Sequence, residues 1–256
     1  LNITLGALVG LVGGIGLAFL FENLDLAIYT VDKLEAATKL PLLGSIPHLD
    51  LPRKPSHHAI LLRGNRQSPP REAFRILRTN VNALMIDISA KTLLIASAEQ
   101  GAGKSTILAN LAVAMAQAGR KVVMVDSDLR HPYLHKLFGT TNDWGLITMI
   151  TRPSRVSSST QLSKTKFPGV SLLTSGPLPP NPGERVGSIQ MRKLIAELRL
   201  EADLVLLDSP AILNFADGAA LASMADGVVL VAARGEATER GIQKALQQMD
   251  TVGAKL

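Results

Sequence analysis

The chain has 256 residues, 46% apolar and 19% charged, which excludes a disordered or fibrous polypeptide and leaves room for one sizeable domain with appendages. It holds no cysteine, so disulfides, thiolate metal centres and a cysteine nucleophile are excluded. The formal net charge of +6 is concentrated: between Leu51 and Arg78 stand Arg53, Lys54, Arg63, Arg66, Arg71, Arg75 and Arg78 against the single acid Glu72.

In chain order, residues 1–21, "LNITLGALVGLVGGIGLAFLF", carry no charge and only Asn2 and Thr4 as polar side chains, the length and character of a transmembrane helix. Gly6, Gly10 and Gly14 recur every fourth residue and would let a second membrane helix approach closely. A buried core helix or a signal peptide is the alternative, but no basic leader or small-residue cleavage site is visible. Leu rather than Met stands first, so a preceding segment is expected. Residues 22–69 read as a juxtamembrane connector, helical over "NLDLAIYTVDKLEAATKL" and then punctuated by proline. The basic residues beyond the span place this side in the cytoplasm, although Glu22, Asp25, Asp32 and Glu35 come first. Anionic membrane lipid is the expected partner of the basic segment, and an ordinary solvated linker accounts for it equally well. Nucleic acid ranks below both, because no aromatic residues interleave with the charges.

From residue 70 the pattern is that of a globular domain. A helix is expected from Pro70-Arg71, with Phe74, Leu77, Val81 and Leu84 on one side. Apolar runs then follow at 92–97, 121–126, 170–175, 203–208 and 227–233. They are apolar throughout rather than alternating, as expected of parallel strands covered on both faces. The segments between them have helical periodicity, for instance Ile242, Ala245, Leu246, Met249 and Val252. Residues 70–256 therefore read as a doubly wound α/β domain, a parallel sheet with helices on both faces. Its ligand should lie at the carboxyl ends of the strands, where three runs end in Ser97, Asp126 and Asp208. Residues 151–169, rich in Ser, Thr and Lys, read as an exposed loop.

The strand "LLIAS" runs into Ala98-Glu99-Gln100-Gly101-Ala102-Gly103-Lys104-Ser105-Thr106, and a helix is expected from about Ser105 to Ala118. Such a loop turns successive backbone N–H groups toward an anion, and the helix adds the positive end of its dipole. Gly101 and Gly103 permit the tight approach, Lys104 reaches the β- and γ-phosphates, and the Ser105 hydroxyl can ligate Mg²⁺. Ala98 stands where glycine usually begins the pattern and is tolerable there if its φ is negative. Two further strand ends, "VVMVDSDLR" with Asp126, Asp128 and Arg130 and "LVLLDSP" with Asp208, offer hard oxygen ligands for Mg²⁺ at the same edge. Either aspartate alone could equally cap a helix.

Together "ASAEQGAGKST", "VVMVDSDLR" and "LVLLDSPAIL" resemble the Walker A, Walker A′ and Walker B motifs of the bacterial tyrosine kinases that are coupled to polysaccharide co-polymerase membrane proteins. The resemblance covers nearly the whole chain and implies a P-loop NTPase fold preceded by one transmembrane helix, in the bacterial inner membrane with its kinase domain cytoplasmic. It also implies ATP and Mg²⁺ as ligands and transfer of the γ-phosphate to tyrosines in the C-terminal tail of a neighbouring subunit of a homo-oligomeric ring, regulating exopolysaccharide or capsule polymerisation and export. By position, Lys104 would hold phosphate, Ser105 would ligate Mg²⁺, Asp128 and Asp208 would support the ion, and Asp126 would take the tyrosine proton. The stretch "EAFRILR" is similar to that family's oligomerisation motif at Glu72, Arg75 and Arg78, though a solvated helix face would carry the same residues.

There are departures. Only Tyr29 and Tyr133 are present, neither in a cluster, and the chain stops at "TVGAKL" where a further strand is expected to begin. Gly183, Arg185 and Val186 differ from the family's usual residues after "LPPNP". Two rival readings stay open: a MinD/ParA-like ATPase with no protein acceptor, disfavoured by Glu99 where those proteins have a lysine, and a chain-length regulator whose nucleotide domain only switches assembly.

Overall fold

Five apolar runs form strands in the computed structural model, which describes residues 27–49, 60, 62, 68–151 and 161–255 together with Gly10, Gly13 and Gly14. They are β1 (Thr92–Ala96), β2 (Val122–Asp126), β4 (Val170–Leu173), β5 (Leu204–Asp208) and β6 (Gly227–Leu230). A sixth, β3 (Ser163–Lys164), lies within the stretch expected to be a loop and pairs antiparallel with β4. The order is β3-β4-β2-β5-β1-β6, and every other pairing is parallel.

Nine helices are described: α1 (Val31–Thr38), α2 (Pro69–Asp87), α3 (Lys104–Gln117), α4 (Leu134–Phe138), α5 (Leu146–Thr151), α6 (Pro182–Val186), α7 (Ile189–Glu201), α8 (Ala216–Ala222) and α9 (Glu239–Thr251). Successive strand residues point to opposite faces, so each strand feeds two apolar layers. Leu93, Ile95, Met124, Leu204 and Leu206 pack with α2, α3 and α4. Leu94, Ala96, Val125, Val205 and Leu207 pack with α5, α7, α8 and α9. In β1, β2 and β5 all five residues are buried, which is why these runs show no alternation.

The helix ends follow local chemistry. Thr238 Oγ1 accepts the Gly241 N–H at α9 and Ser188 Oγ accepts the Met191 N–H at α7, each supplying a partner to a first-turn donor. On α2 the buried stripe is Phe74, Leu77, Val81 and Met85. Leu84, expected on that stripe, is 39% exposed, because the step from Val81 is four residues rather than three. Val252, expected on the apolar side of α9, lies just past its end and is 38% exposed.

Two further expectations meet the structure at its margins. Among the described residues no helix is long and apolar enough to cross a membrane, and the span expected over 1–21 lies outside them except at residues 10, 13 and 14. Arg53, Lys54, Arg63 and Arg66 also fall outside. At the other end the Val228 N–H donates to Lys255 O at 2.8 Å, so the chain comes alongside β6 where a further strand is expected to begin.

Candidate functional site

β1 is flanked by β5 on one side and β6 on the other, and β5 separates it from β2. The loops after β1, β2 and β5 therefore open at one edge, at the point where the strand order reverses, which is where ligands of open α/β sheets bind. Asp126 and Asp208 stand opposite each other in the β2–β5 register, and Asp208 stands opposite Ile95 of β1. The sheet itself thus brings together residues 82 positions apart in sequence.

Ala98 is buried, and its carbonyl accepts the Leu213 N–H at 3.2 Å. Among the described residues the non-glycine positions with positive φ are Lys39 and Ser89, so Ala98 meets the condition set for it. Gly101 and Gly103 have φ of 92° and 86°, a backbone that residues with a side chain rarely adopt, and this lets the loop coil into the N-terminus of α3. Gln100, Gly101 and Gly103 are exposed, while Ala102, Ser105 and Thr106 are half-buried. Lys104 is buried and donates from Nζ to Ser97 Oγ at 3.0 Å. Ser97 Oγ in turn donates to Glu99 O, so the lysine is parked on its own loop.

The acidic groups differ in their surroundings. Asp208 is fully buried, with Oδ2 accepting from Ser105 Oγ at 2.5 Å and Oδ1 from the Ser209 N–H at 3.1 Å. Burial first, and the neighbouring Asp126 charge second, push its pKa up to about 8, against the opposing Ser105 hydrogen bond. Asp126 is also fully buried; Oδ2 accepts the Tyr133 and Leu134 N–H groups at 3.1 and 3.0 Å, with His135 Nδ1 3.9 Å away. Its pKa is raised chiefly by burial, and its Oδ1 is buried with no hydrogen-bond partner. Lys104 is lowered by burial, a shift that Asp208 and Asp128 oppose. Asp128 is half-buried, and its Oδ1 accepts the Arg130 and His131 N–H groups at 3.1 and 2.9 Å.

These features test whether the site fits a divalent cation. Two buried carboxylates face one another with raised pKa values, one carboxylate oxygen has no partner, and a hydroxyl already touches one of the pair. Such an arrangement is short of positive charge. Among the described residues no three acidic or histidine side chains converge into a cage. Mg²⁺ suits this edge, since it is commonly held by one or two carboxylates and completed by phosphates and water.

Several partners were invisible in sequence. Glu99 Oε1 accepts from Thr238 Oγ1 at 3.4 Å and lies too close to Gly241 to leave room for a Cβ there, tying the loop to the start of α9. Arg130 reaches Asp217 of α8, and His135 sits beside Asp126. Thr238, Gly241, Asp217 and His135 lie outside the quoted motifs. Glu72, Arg75 and Arg78 do not join this site: they lie on α2 and line a groove with Ile76, Thr79 and Asn80, with Arg75 Nη1 and Glu72 Oε2 3.5 Å apart at the exposed surface.

Known proteins resemble this chain in sequence and in fold. Residues 93–247 match the CobQ/CobB/MinD/ParA nucleotide binding domain. The tyrosine-protein kinase YwqD of Bacillus subtilis (strain 168) is 40% identical over 185 residues, 72% of this chain and 77% of that protein. The chain belongs to the bacterial tyrosine-protein kinases. The family's tyrosine-protein kinase ptk of Acinetobacter johnsonii is 28% identical over 263 residues, all of this chain but 35% of its own length. The chain thus spans about three quarters of one relative and a third of the other. Among solved structures, the chimerical protein CapA2B2 superposes with a TM-score of 0.79 at 32% identity, covering 89% of this chain and 96% of that one.

Proposed function

We propose that this chain is the ATP- and Mg²⁺-dependent autokinase part of a membrane-anchored protein that regulates exopolysaccharide or capsule polymerisation and export. The observation that carries the reading is the gathering of Lys104, Ser105, Asp126, Asp128 and Asp208 at the ends of three adjacent strands, in a protein of the tyrosine-kinase family. Residues 1–21 would be the membrane span, 22–69 the juxtamembrane connector and 70–256 the kinase domain. Anionic membrane lipid would be the partner of the basic connector.

The backbone of Gln100 to Thr106 holds the phosphates, and Lys104 leaves Ser97 to meet them. Ser105 and Asp208, with Asp128 beside them, are the residues that would hold Mg²⁺, which when bound neutralises charge on the β- and γ-phosphate oxygens. Asp126 receives the proton of the attacking tyrosine hydroxyl. Its support is a buried oxygen without a partner and a pKa raised by burial, which makes the carboxylate a better base than an exposed one. The acceptor would be the tyrosine-rich tail of a neighbouring subunit in a ring, with Glu72, Arg75 and Arg78 at the subunit contact.

The test is transfer of label from γ-³²P-ATP to a Glu/Tyr copolymer with Mg²⁺ present. The wild-type chain should form phosphotyrosine and Lys104→Met should not. Equal labelling by both, or release of phosphate to water with no phosphotyrosine, overturns the reading, and the second result favours the ATPase alternative.

A further inference from the structure

We propose that Arg130 and Asp217 form a latch that positions Asp128 for the divalent cation, and that α6 helps to seat it. This rests on the reading of the site given above. Arg130 is bonded through both of its ends. Its backbone N–H donates to Asp128 Oδ1 at 3.1 Å, while its guanidinium grips Asp217 with Nε to Oδ2 at 2.9 Å and Nη2 to Oδ1 at 3.3 Å. The fork-to-fork geometry is the one that fixes orientation as well as distance. The guanidinium carbon also sits 3.9 Å above the centre of the Phe215 ring, so the planar group is held from its face and from its edge.

Asp217 is only 3% exposed, and it follows Asp208 by nine residues at the start of α8. The latch therefore ties the loop after β2, which carries Asp128, to the first turn of α8, into which the chain runs from Asp208 at the end of β5. Those strands are neighbours, so the two proposed ion-supporting aspartates sit on segments clamped to one another.

The seat behind the latch is tight. A Cβ added to Gly183 of α6 would lie 2.8 Å from Asp217 Oδ1. The carboxylate thus occupies the space that a side chain at position 183 would need.

Two consequences follow for Asp128. With the latch closed, one of its oxygens is committed to backbone N–H groups and the carboxylate holds a fixed direction. With the latch broken, a guanidinium two residues away is freed, and Asp128 is the nearest acid in its own loop. The released cation would then compete with the metal for the same carboxylate.

The experiment titrates Mg²⁺ into the chain with a fluorescent ATP analogue, and repeats the nucleotide titration in EDTA. For Asp217→Asn, and for Gly183→Ala, which removes no charge, half-saturating Mg²⁺ should rise about tenfold, the usual scale for losing an outer-shell partner. Arg130→Lys, which keeps the charge but loses the fork, should fall between these and wild type. Nucleotide affinity in EDTA should be unchanged in all three. Unaltered Mg²⁺ dependence in a folded latch variant overturns the proposal, as does an equal loss of affinity with and without Mg²⁺, which would make the pair merely structural. Absence of any Mg²⁺ effect in the wild-type chain would instead overturn the functional reading beneath it.

Discussion

At the amino ends of the central strands, acids pair with backbone donors and an arginine; at the carboxyl ends they also accept backbone N–H groups, but two of them stand buried opposite each other. Asp226 Oδ2 accepts the Lys91 and Thr92 N–H groups at 2.8 and 2.9 Å while its Oδ1 meets Arg199 Nη1 at 3.1 Å, and the exposed Asp203 accepts the Lys121 N–H at 2.8 Å. Asp126 and Asp208 at the opposite edge are fully buried, one with an unpartnered oxygen and the other with a pKa near 8. The same residue type thus closes the sheet at one edge and leaves it short of positive charge at the other. The proposed cation-bearing ligand would be stabilised at the second.

The sharpest way to break this contrast is to remove Lys104, a buried cation of the carboxyl edge. Lys104→Met should weaken Mg-ATP binding at least ~100-fold in a fluorescence titration, because the lysine is lost from a buried charged site. Affinity close to wild type would mean that the loop binds by its backbone alone.

The next effect is on folding and has opposite sign at the two edges. Asp208 titrates near 8 when folded and at 3.8 when unfolded. Below 3.8 both states hold the proton, and above it, up to about 8, only the folded state does, so the stability of the ligand-free chain falls as pH rises through this window. The contribution is complete below 3.8 and gone above 8. Asp126, also raised by burial, adds in the same direction. Asp208→Asn should therefore raise the ligand-free melting temperature at pH 8 and flatten its pH dependence, while abolishing Mg²⁺-dependent binding. Asp226→Asn should lower stability by about 1–2 kcal/mol at neutral pH, since it loses the Arg199 contact and one backbone partner. Denaturant melts of the two variants that moved in the same direction would erase the distinction between the edges.

How much of this was legible depended on the range of the interactions. Runs such as "TLLIA" and "LVLLD" announce themselves because they are buried on both faces. Ser163–Lys164 carries no pattern and is a strand only because β4 offers it partners. The phosphate loop and the strand-end aspartates are local motifs, readable residue by residue. Asp217 and Thr238 are not, for they reach Arg130 and Glu99 across 87 and 139 residues, and only the sheet order brings them near. Glu99 is an instructive case: the sequence marks it as unlike a lysine, while the structure shows what the carboxylate does, which is to meet the start of α9.

The smallest expected effect on stability lies on α2. Arg75→Ala with Arg78→Ala should change folding by no more than about 0.5 kcal/mol, as the Glu72–Arg75 pair is exposed. The assembled fraction in sedimentation should nonetheless fall if this groove is a subunit contact. An unchanged profile would assign those residues to a solvated face.

The division of labour at the carboxyl edge is tested most directly by Asp126→Asn, with Mg-ATP affinity and phosphotyrosine formation measured on the same preparation. Affinity should stay at the wild-type value while transfer to the tyrosine copolymer falls by about 100-fold or more, the scale of a lost general base. Transfer at the wild-type rate would contradict a proton-accepting role for Asp126, and loss of affinity in parallel with transfer would place that residue among the groups that hold the nucleotide.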